Sequence, residues 1–299
     1  MRMSLNNIMG IGFAVMSSAS FGLIPLFSIP LLSLGLNSQT ILCYRFLVAT
    51  LIMAVVMLVT RRSFKLQARL IFTVFLLSAL YAATAILLLA SYKDIPSGVT
   101  TTIHFLYPLA VTVVMSIIYG EKTTITTYLA VLVSLLGVAL LAWGNHDAQH
   151  FRRGVMLALM TVVCYAAYII AIMKSRAAEI DTLVLTFYVL LFGTILFFVY
   201  ALLTTGIEAI HQPAGWRDVV MLALVCTVLS DLTLIKAIKC IGSTLTSILG
   251  SMEPLTAVVV GVFYFDEHFD ISSIVGLILI IISVVLVIAQ TSKQQRMYH

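Results

Sequence analysis

Two stretches of sequence decide the fold. Residues 97–121 read SGVTTTIHFLYPLAVTVVMSIIYGE, and residues 243–267 read STLTSILGSMEPLTAVVVGVFYFDE. At an offset of 146 they align without a gap and share seven identical positions of 25, among them Pro108 with Pro254 and Glu121 with Glu267. Proline and glutamate are both unusual inside apolar segments, so their common register indicates an internal repeat.

The composition places these stretches in a membrane. The chain has 299 residues, of which 62% are hydrophobic and 10% are charged, and its mean hydropathy is +1.13. A soluble domain has about 45–50% apolar and about 25% charged residues, so a soluble enzyme is excluded. The hydrophobicity also excludes disorder, and four cysteines in this length exclude a disulfide scaffold.

Ten apolar stretches are long enough to cross about 30 Å of hydrocarbon as helices. They are continuously apolar and exceed the roughly ten residues of a barrel strand, which favours helices. We number these spans one to ten: residues 7–34, 40–60, 69–92, 97–119, 126–142, 154–174, 182–204, 217–239, 243–265 and 271–290. The start of the first span also resembles a cleavable signal peptide, but an uncleaved helix is favoured because the hydrophobicity continues to Leu36.

The basic residues predict the orientation. If the ten helices alternate, 12 of the 17 Lys and Arg residues fall on the side of the termini and Arg45 lies within the second span. Four fall on the opposite side: Lys93, Arg152, Arg153 and Arg217. The positive-inside rule then predicts that both termini are cytoplasmic, in the inner membrane if the source is bacterial. Loop placement also explains the net charge of +5, so no nucleic-acid partner is expected.

The repeat divides the chain into two halves, residues 1–145 and 146–299, each with five predicted helices. Because five is odd, the halves must lie in the membrane with opposite orientations. The predicted fold class is therefore an all-α polytopic membrane protein with ten transmembrane helices in two inverted five-helix repeats. This architecture is typical of secondary transporters, which bind substrate near the midplane between the halves.

The sequence resembles the drug/metabolite transporter superfamily, and in particular the EamA-type permeases. The resemblance rests on Pro, about 12 apolar residues and Gly/Asp-Glu, at residues 108–121 and 254–267. Arg45-Phe46 in the second span and Gly154 near the sixth also fit. The resemblance implies a ten-helix permease with a central cavity, a small organic cargo and a proton gradient as the commonly used driving force. It implies no particular cargo.

Three charged residues lie deep within the spans: Arg45, Asp231 and Glu253. A charge at the centre of a bilayer costs about 2.5–3.5 kcal/mol on insertion scales, so these side chains are expected to face the helix bundle or water. Each acid is a candidate proton or substrate-cation site, or else part of a structural ion pair or interhelical hydrogen bond. Arg45 either holds backbone carbonyls, pairs with one of the acids, or binds a substrate carboxylate.

Further candidates are the aromatic residues Tyr81, His104 and Tyr107 in spans three and four. Rings that carry polar groups suit a cavity for an amphipathic organic solute. Ordinary helix packing is the alternative for both tyrosines. His104 has an imidazole that could titrate near neutral pH, or it is a hydrogen-bonded interior histidine.

These observations predict a secondary-active transporter, and specifically an exporter, of a small metabolite such as an amino acid. It would work by alternating access, with proton coupling supplied by the second half, because Asp231 aligns with Ala85 and Glu253 with Tyr107. The alternatives are an intramembrane lipid-processing enzyme that uses both acids, and a passive channel. Because no catalytic or zinc motif is present, we expect neither an enzyme nor a metal or cofactor. The expected partners are the substrate and the bilayer, with the protein as a monomer or homodimer.

Overall fold

The computed structural model describes residues 5–120, 148–204, 206–250, 252–267, 271, 272, 274–283 and 286, with isolated positions between 125 and 140. Glu121 lies outside the described residues, as does the fifth span except for those isolated positions. The α-helices run Leu5–Gly22, Ile24–Ser33, Ser38–Val59, Ala68–Ser91, Ser97–His104, Tyr107–Tyr119, Ala148–Lys174, Thr182–Leu203, Pro213–Ala223, Ser230–Leu249, Met252–Phe265 and Ile274–Ser283. A 3₁₀ turn, Arg176–Glu179, and a π-helical segment, Leu224–Leu229, complete them.

The described helices confirm an all-α polytopic membrane protein. Within the described residues, seven helical segments are long and apolar enough to cross a bilayer, and shorter apolar helices follow at Met252–Phe265 and Ile274–Ser283. Large apolar side chains such as Phe72, Leu203 and Phe263 are at least three-quarters exposed on the outside of the bundle. In a membrane protein such a surface faces lipid, so its exposure is expected.

Three spans are interrupted partway through, and proline explains where. The first breaks at Leu23 and the fourth at Phe105–Leu106, in each case just before a helix with proline in its first two positions. The ninth breaks between Leu249 and Met252, two residues before Pro254. Proline lacks a donor and clashes with the preceding turn, but it is favoured at the first helical positions. The breaks in spans four and nine fall at equivalent positions of the repeat.

The helix contacts are related by exchange of the two halves of the chain. The first span packs against Ser230–Leu249, which carries the end of span eight and the start of span nine. Its counterpart, span six, packs against spans three and four, while span two contacts seven and span four contacts nine. Exchanging the two halves of the chain leaves this set of contacts unchanged. In the pairs two–seven and four–nine each span contacts its own equivalent in the other half, so these pairs lie on the pseudo-twofold axis that relates the halves. Ser97, at the start of span four, contacts Glu267 just beyond span nine, so these two spans are antiparallel.

Contacts between loops respect the alternating topology. At the face predicted to be cytoplasmic, Arg62 lies 3.7 Å from Asp181 and Lys239 donates to the Ile180 carbonyl at 2.6 Å. At the opposite face, Glu208 accepts from the Asn37 backbone N–H at 2.6 Å. Each of these contacts joins loops that the sequence places on the same side of the membrane.

Candidate functional site

The breaks in spans four and nine bring together two ionisable side chains. His104 is the last residue of Ser97–His104, and Glu253 is the second residue of Met252–Phe265. The distance from His104 Nε2 to Glu253 Oε1 is 3.7 Å, and the side chains are 0% and 2% exposed. This distance exceeds a hydrogen bond, and neither atom has another hydrogen-bond partner among the described residues.

Two other spans hold the His104 ring. Its Nδ1 lies 2.7 Å from Thr161 Oγ1 in span six. The Phe21 ring of span one stacks on it with centroids 5.9 Å apart. A hydrogen bond on one edge and a ring on one face fix the direction of the imidazole, so Nε2 is held toward span nine.

Gly22 allows the first span to approach Glu253 closely. A Cβ at this position would lie 2.5 Å from the Glu253 carbonyl oxygen and 2.8 Å from Thr256 Cβ. Nearby, the Ser18 hydroxyl donates to the Leu249 carbonyl at 2.9 Å. The small residues of span one therefore bring its backbone against the break in span nine.

A chain of aromatic rings leads away from His104 across spans three, four and six. Ring centroids are 5.0 Å apart for His104 and Tyr165, and 4.8 Å apart for Tyr107 and Tyr165. The chain continues through Tyr168, at 6.0 Å from Tyr165, to Tyr81 at 5.3 Å. Aromatic rings at these spacings attract one another and offer flat apolar faces to a ligand.

The far end of this chain meets the second deep acid. Asp231 is 2% exposed, and its carboxyl interacts with the Tyr81 hydroxyl. Within the described part of the chain, neither that hydroxyl nor Asp231 Oδ2 makes a hydrogen bond of full geometry. Arg45 acts on the Asp231 carboxyl electrostatically, which offsets part of the cost of a buried carboxylate.

Arg45 is held by the irregular part of span eight. Its Nε donates to Thr227 Oγ1 at 2.7 Å, and an Nη2–H donates to the Cys226 carbonyl at 3.3 Å. Both acceptors belong to the π-helical segment Leu224–Leu229, in which the Thr227 hydroxyl itself donates to the Leu222 carbonyl at 2.9 Å. The guanidinium thus binds a backbone carbonyl and a side-chain oxygen, and a π-helical turn supplies them.

The aromatic rings, His104 and the two deep acids form one cluster, and this cluster contains polar atoms whose hydrogen-bonding capacity other protein groups do not satisfy. Five described side-chain atoms around the aromatic rings are buried without a hydrogen bond of full geometry: Tyr81 Oη, Tyr168 Oη, His104 Nε2, Asp231 Oδ2 and Glu253 Oε1. Buried polar groups are almost always hydrogen-bonded, so such a concentration indicates a place for a polar ligand, a proton or water. Among the described residues no group of three or more His, Cys, Asp or Glu side chains is placed to hold a metal ion.

Comparison with known proteins accounts for this architecture. The profile of the EamA-like transporter family matches residues 8–143 and again residues 152–289. The chain belongs to the EamA-like transporter family. The resemblance seen in the sequence is thereby confirmed, and the protein is a membrane transporter by family.

Individual relatives agree with membership of the EamA-like transporter family. A protein of Bacillus subtilis (strain 168) named "Uncharacterized transporter YvbV" is 24% identical over 274 residues, which is 90% of this chain and 86% of the relative. A solved crystal structure superposes with a TM-score of 0.68 at 14% identity, over 96% of this chain and 98% of the other. At that identity the superposition supports the fold alone.

The structure divides the predicted site residues into two groups. His104, Tyr107 and Glu253 lie at one end of the aromatic chain, and Tyr81, Asp231 and Arg45 lie at the other. Three residues of span six link the ends and were missed in the sequence: Thr161, Tyr165 and Tyr168. Their spacing of four and three places them on one helical face, and this polar stripe in an apolar span is the signal that could have identified them.

Proposed function

We propose that this protein is a secondary-active exporter of a small organic metabolite, such as an amino acid or a related solute, and that it works by alternating access. The observation that carries the proposal is the cluster of unpartnered polar atoms and tyrosine rings beside the breaks in spans four and nine. Secondary transporters with inverted repeats bind substrate at discontinuous helices near the midplane. The two-half symmetry of the helix contacts supports the same mechanism.

The cluster favours a solute that has both a flat or apolar part and a polar part. The tyrosine faces offer apolar contact, and the free hydroxyl and carboxyl oxygens offer hydrogen bonds. Arg45 is engaged by Thr227 and Cys226, which supports a structural role for its guanidinium and weakens the alternative of a substrate carboxylate. The two carboxyl groups have different neighbours, which weakens the alternative of a catalytic dyad.

We further propose that transport is coupled to protons through acids of the second half, and that the protein lies in the cytoplasmic membrane with both termini inside. A carboxyl group in the bundle can exchange a proton when the halves move and water reaches it. The distribution of Lys and Arg supports the orientation.

Reconstituted transport tests the proposal. The purified protein is placed in liposomes with labelled amino acids and related solutes, and flux is measured with and without an imposed pH gradient. A pH gradient is expected to drive accumulation of at least one solute. The Asp231→Asn or Glu253→Gln variant is expected to lose this gradient dependence, whereas the exposed Glu179→Gln control keeps it. Proton-driven flux that survives in both cluster variants contradicts the coupling role, and solute leakage independent of any gradient supports a channel.

The direction of transport is tested in cells. Cells that overproduce the protein are compared with cells that produce the Glu253→Gln variant, and metabolites are profiled inside the cells and in the medium. Export predicts that a metabolite rises in the medium and falls inside only with the unaltered protein. The opposite redistribution contradicts export.

A further inference from the structure

The contact between His104 and Glu253 joins the two halves of the transporter. His104 lies in the first half, in span four, and Glu253 lies in the second half, in span nine. Their facing atoms, Nε2 and Oε1, are 3.7 Å apart and fully enclosed. Because the two side chains stand on different halves, any relative movement of the halves changes this distance.

The hydrogen bonds of Thr161 determine where the histidine carries its proton. The Thr161 hydroxyl lies 2.6 Å from the Ala158 carbonyl oxygen, which can only accept, so the single hydroxyl proton points there. The Thr161 oxygen therefore accepts from His104 Nδ1, and Nδ1 carries a proton. In the neutral ring this leaves Nε2 as a bare acceptor aimed at Glu253.

A bare Nε2 and an ionised Glu253 would place two acceptors face to face. One proton between them removes this conflict: on the carboxyl group it provides a donor that faces Nε2, and on Nε2 it provides a cation that faces the carboxylate. We propose that His104 and Glu253 together form one proton-binding site that holds a single proton between the halves, with Thr161 as the residue that positions the ring. The proposal deepens the proton coupling proposed above and assigns it to this pair.

The surroundings distinguish this pair from the other deep acid. The described ionisable groups around it are the neutral hydroxyls of Tyr92, Tyr107 and Tyr165, with Asp231 and Arg45 beyond them at the far end of the cluster. Phe21 and Gly22 of span one contribute no ionisable group. Arg45 acts on Asp231, whereas the ion-pair partner that the described residues provide for Glu253 within 4 Å is His104.

The site links proton binding to conformation. When the proton is present, attraction between the carboxyl group and the imidazole draws spans four and nine together. When the proton leaves, the carboxylate oxygen and the Nε2 lone pair repel each other, and water stabilises both groups. The conformation in which the two halves are further apart is then favoured. A proton that binds two conformations with different affinity shifts the equilibrium between them, which is the requirement for coupling.

Nitrogen-15 NMR of histidine in lipid bilayers tests the assignment without a substrate. The 299-residue chain contains six histidines, and His104→Gln identifies the signals of His104 by their loss. The neutral ring is expected to carry its proton on Nδ1 with Nε2 bare, or the ring is a cation beside an ionised carboxylate. A neutral ring with its proton on Nε2 overturns the proposal.

Paired variants test whether one proton is shared. Proton uptake by the purified protein is counted across a pH titration for the unaltered chain, His104→Gln, Glu253→Gln and the double variant. Both residues titrate as one unit if the two single variants change proton uptake in the same pH range and the double variant is not the sum of the single effects. Additive losses overturn the proposal. In the NMR experiment, Thr161→Val is expected to let the His104 proton move between Nδ1 and Nε2, whereas Thr161→Ser is expected to keep it on Nδ1. The control is the exposed His211→Gln variant, which is expected to lose only the signals of His211.

The outcomes separate this inference from the proposed function. If the NMR and titration results hold but flux ignores a pH gradient, the proton site stands and the coupled transport fails. If flux follows the gradient while His104 and Glu253 titrate independently, the shared site fails and the coupling rests on Asp231 or on Glu253 alone.

Discussion

Replacing Glu267 with alanine is expected to loosen the contact between spans nine and four. The Glu267 carboxylate accepts from the Ser97 backbone N–H at 2.8 Å, from the Ser97 hydroxyl at 2.7 Å and from the Gly98 N–H at 3.3 Å. These donors include the free amides at the start of a helix, where a negative charge is stabilising. The carboxyl group also folds over Gly261, where a Cβ would collide with it.

The size of the effect follows from these bonds. Hydrogen bonds to a charged group contribute about 1.5–3 kcal/mol each when buried. Glu267 is half-buried, so solvent screening reduces the total, and we expect a loss of about 2 kcal/mol from this cap. That loss corresponds to roughly a 30-fold increase in local opening.

Hydrogen exchange measured by mass spectrometry on the protein in detergent micelles or nanodiscs tests this estimate. Amides in the first turn of Ser97–His104 should exchange about 30-fold faster in Glu267→Ala, since exchange there follows local opening. The control is Asp266→Asn, which removes a neighbouring exposed charge and keeps a side chain that tolerates the positive φ of 50° at this position. Equal exchange in both variants, or no change in Glu267→Ala, would refute the reasoning.

Two further predictions concern packing and the buried guanidinium. Gly22→Ala should lower the thermal unfolding temperature, because its Cβ would press on the Glu253 carbonyl and overpacking costs about 1–3 kcal/mol. The matched control is Gly12→Ala, since a Cβ at Gly12 would have nothing within 4 Å. Equal unfolding temperatures for the two variants would contradict the close approach at Gly22. Thr227→Val should destabilise the protein by about 1–3 kcal/mol, because Arg45 Nε loses its acceptor. Thr227→Ser keeps a hydroxyl at this position and should be as stable as the unaltered protein in the same unfolding assay. A Thr227→Ser variant as unstable as Thr227→Val would argue against this hydrogen bond.

The membrane class and the repeat could be predicted because they depend on patterns that are local in sequence. Apolar length sets the spans, and the prolines at 108 and 254 set the breaks, since both act within one helix.

The Gly/Asp-Glu sequence that ends the motif has a similarly local cause. Gly120 has φ of 67° and Asp266 has φ of 50°, and this left-handed turn reverses the chain after Asp266 so that the Glu267 N–H reaches the Gly261 carbonyl at 2.9 Å.

The partners of the deep residues could not be predicted, because they depend on contacts between distant helices. The sequence shows that Arg45, Asp231 and Glu253 are costly in a bilayer, and this follows from depth alone. It does not show that Arg45 reaches a π-helical turn 181 residues away, because the insertion that frees those acceptors is a feature of helix geometry. Nor does it show that Thr161 orients His104, because a threonine in an apolar span has many equivalent roles.

The site lies where the symmetry of the fold and the asymmetry of the sequence meet. Tyr107 and Glu253 are equivalent positions of the repeat, and both face the His104 end of the cluster because spans four and nine cross at the pseudo-twofold axis. If both positions were acidic, two carboxylates would face each other; if both were tyrosine, His104 would have no group with which to exchange a proton. One tyrosine and one glutamate give the pair a single exchangeable proton beside an aromatic surface. The symmetry brings the two positions together, and the difference between them supplies the chemistry.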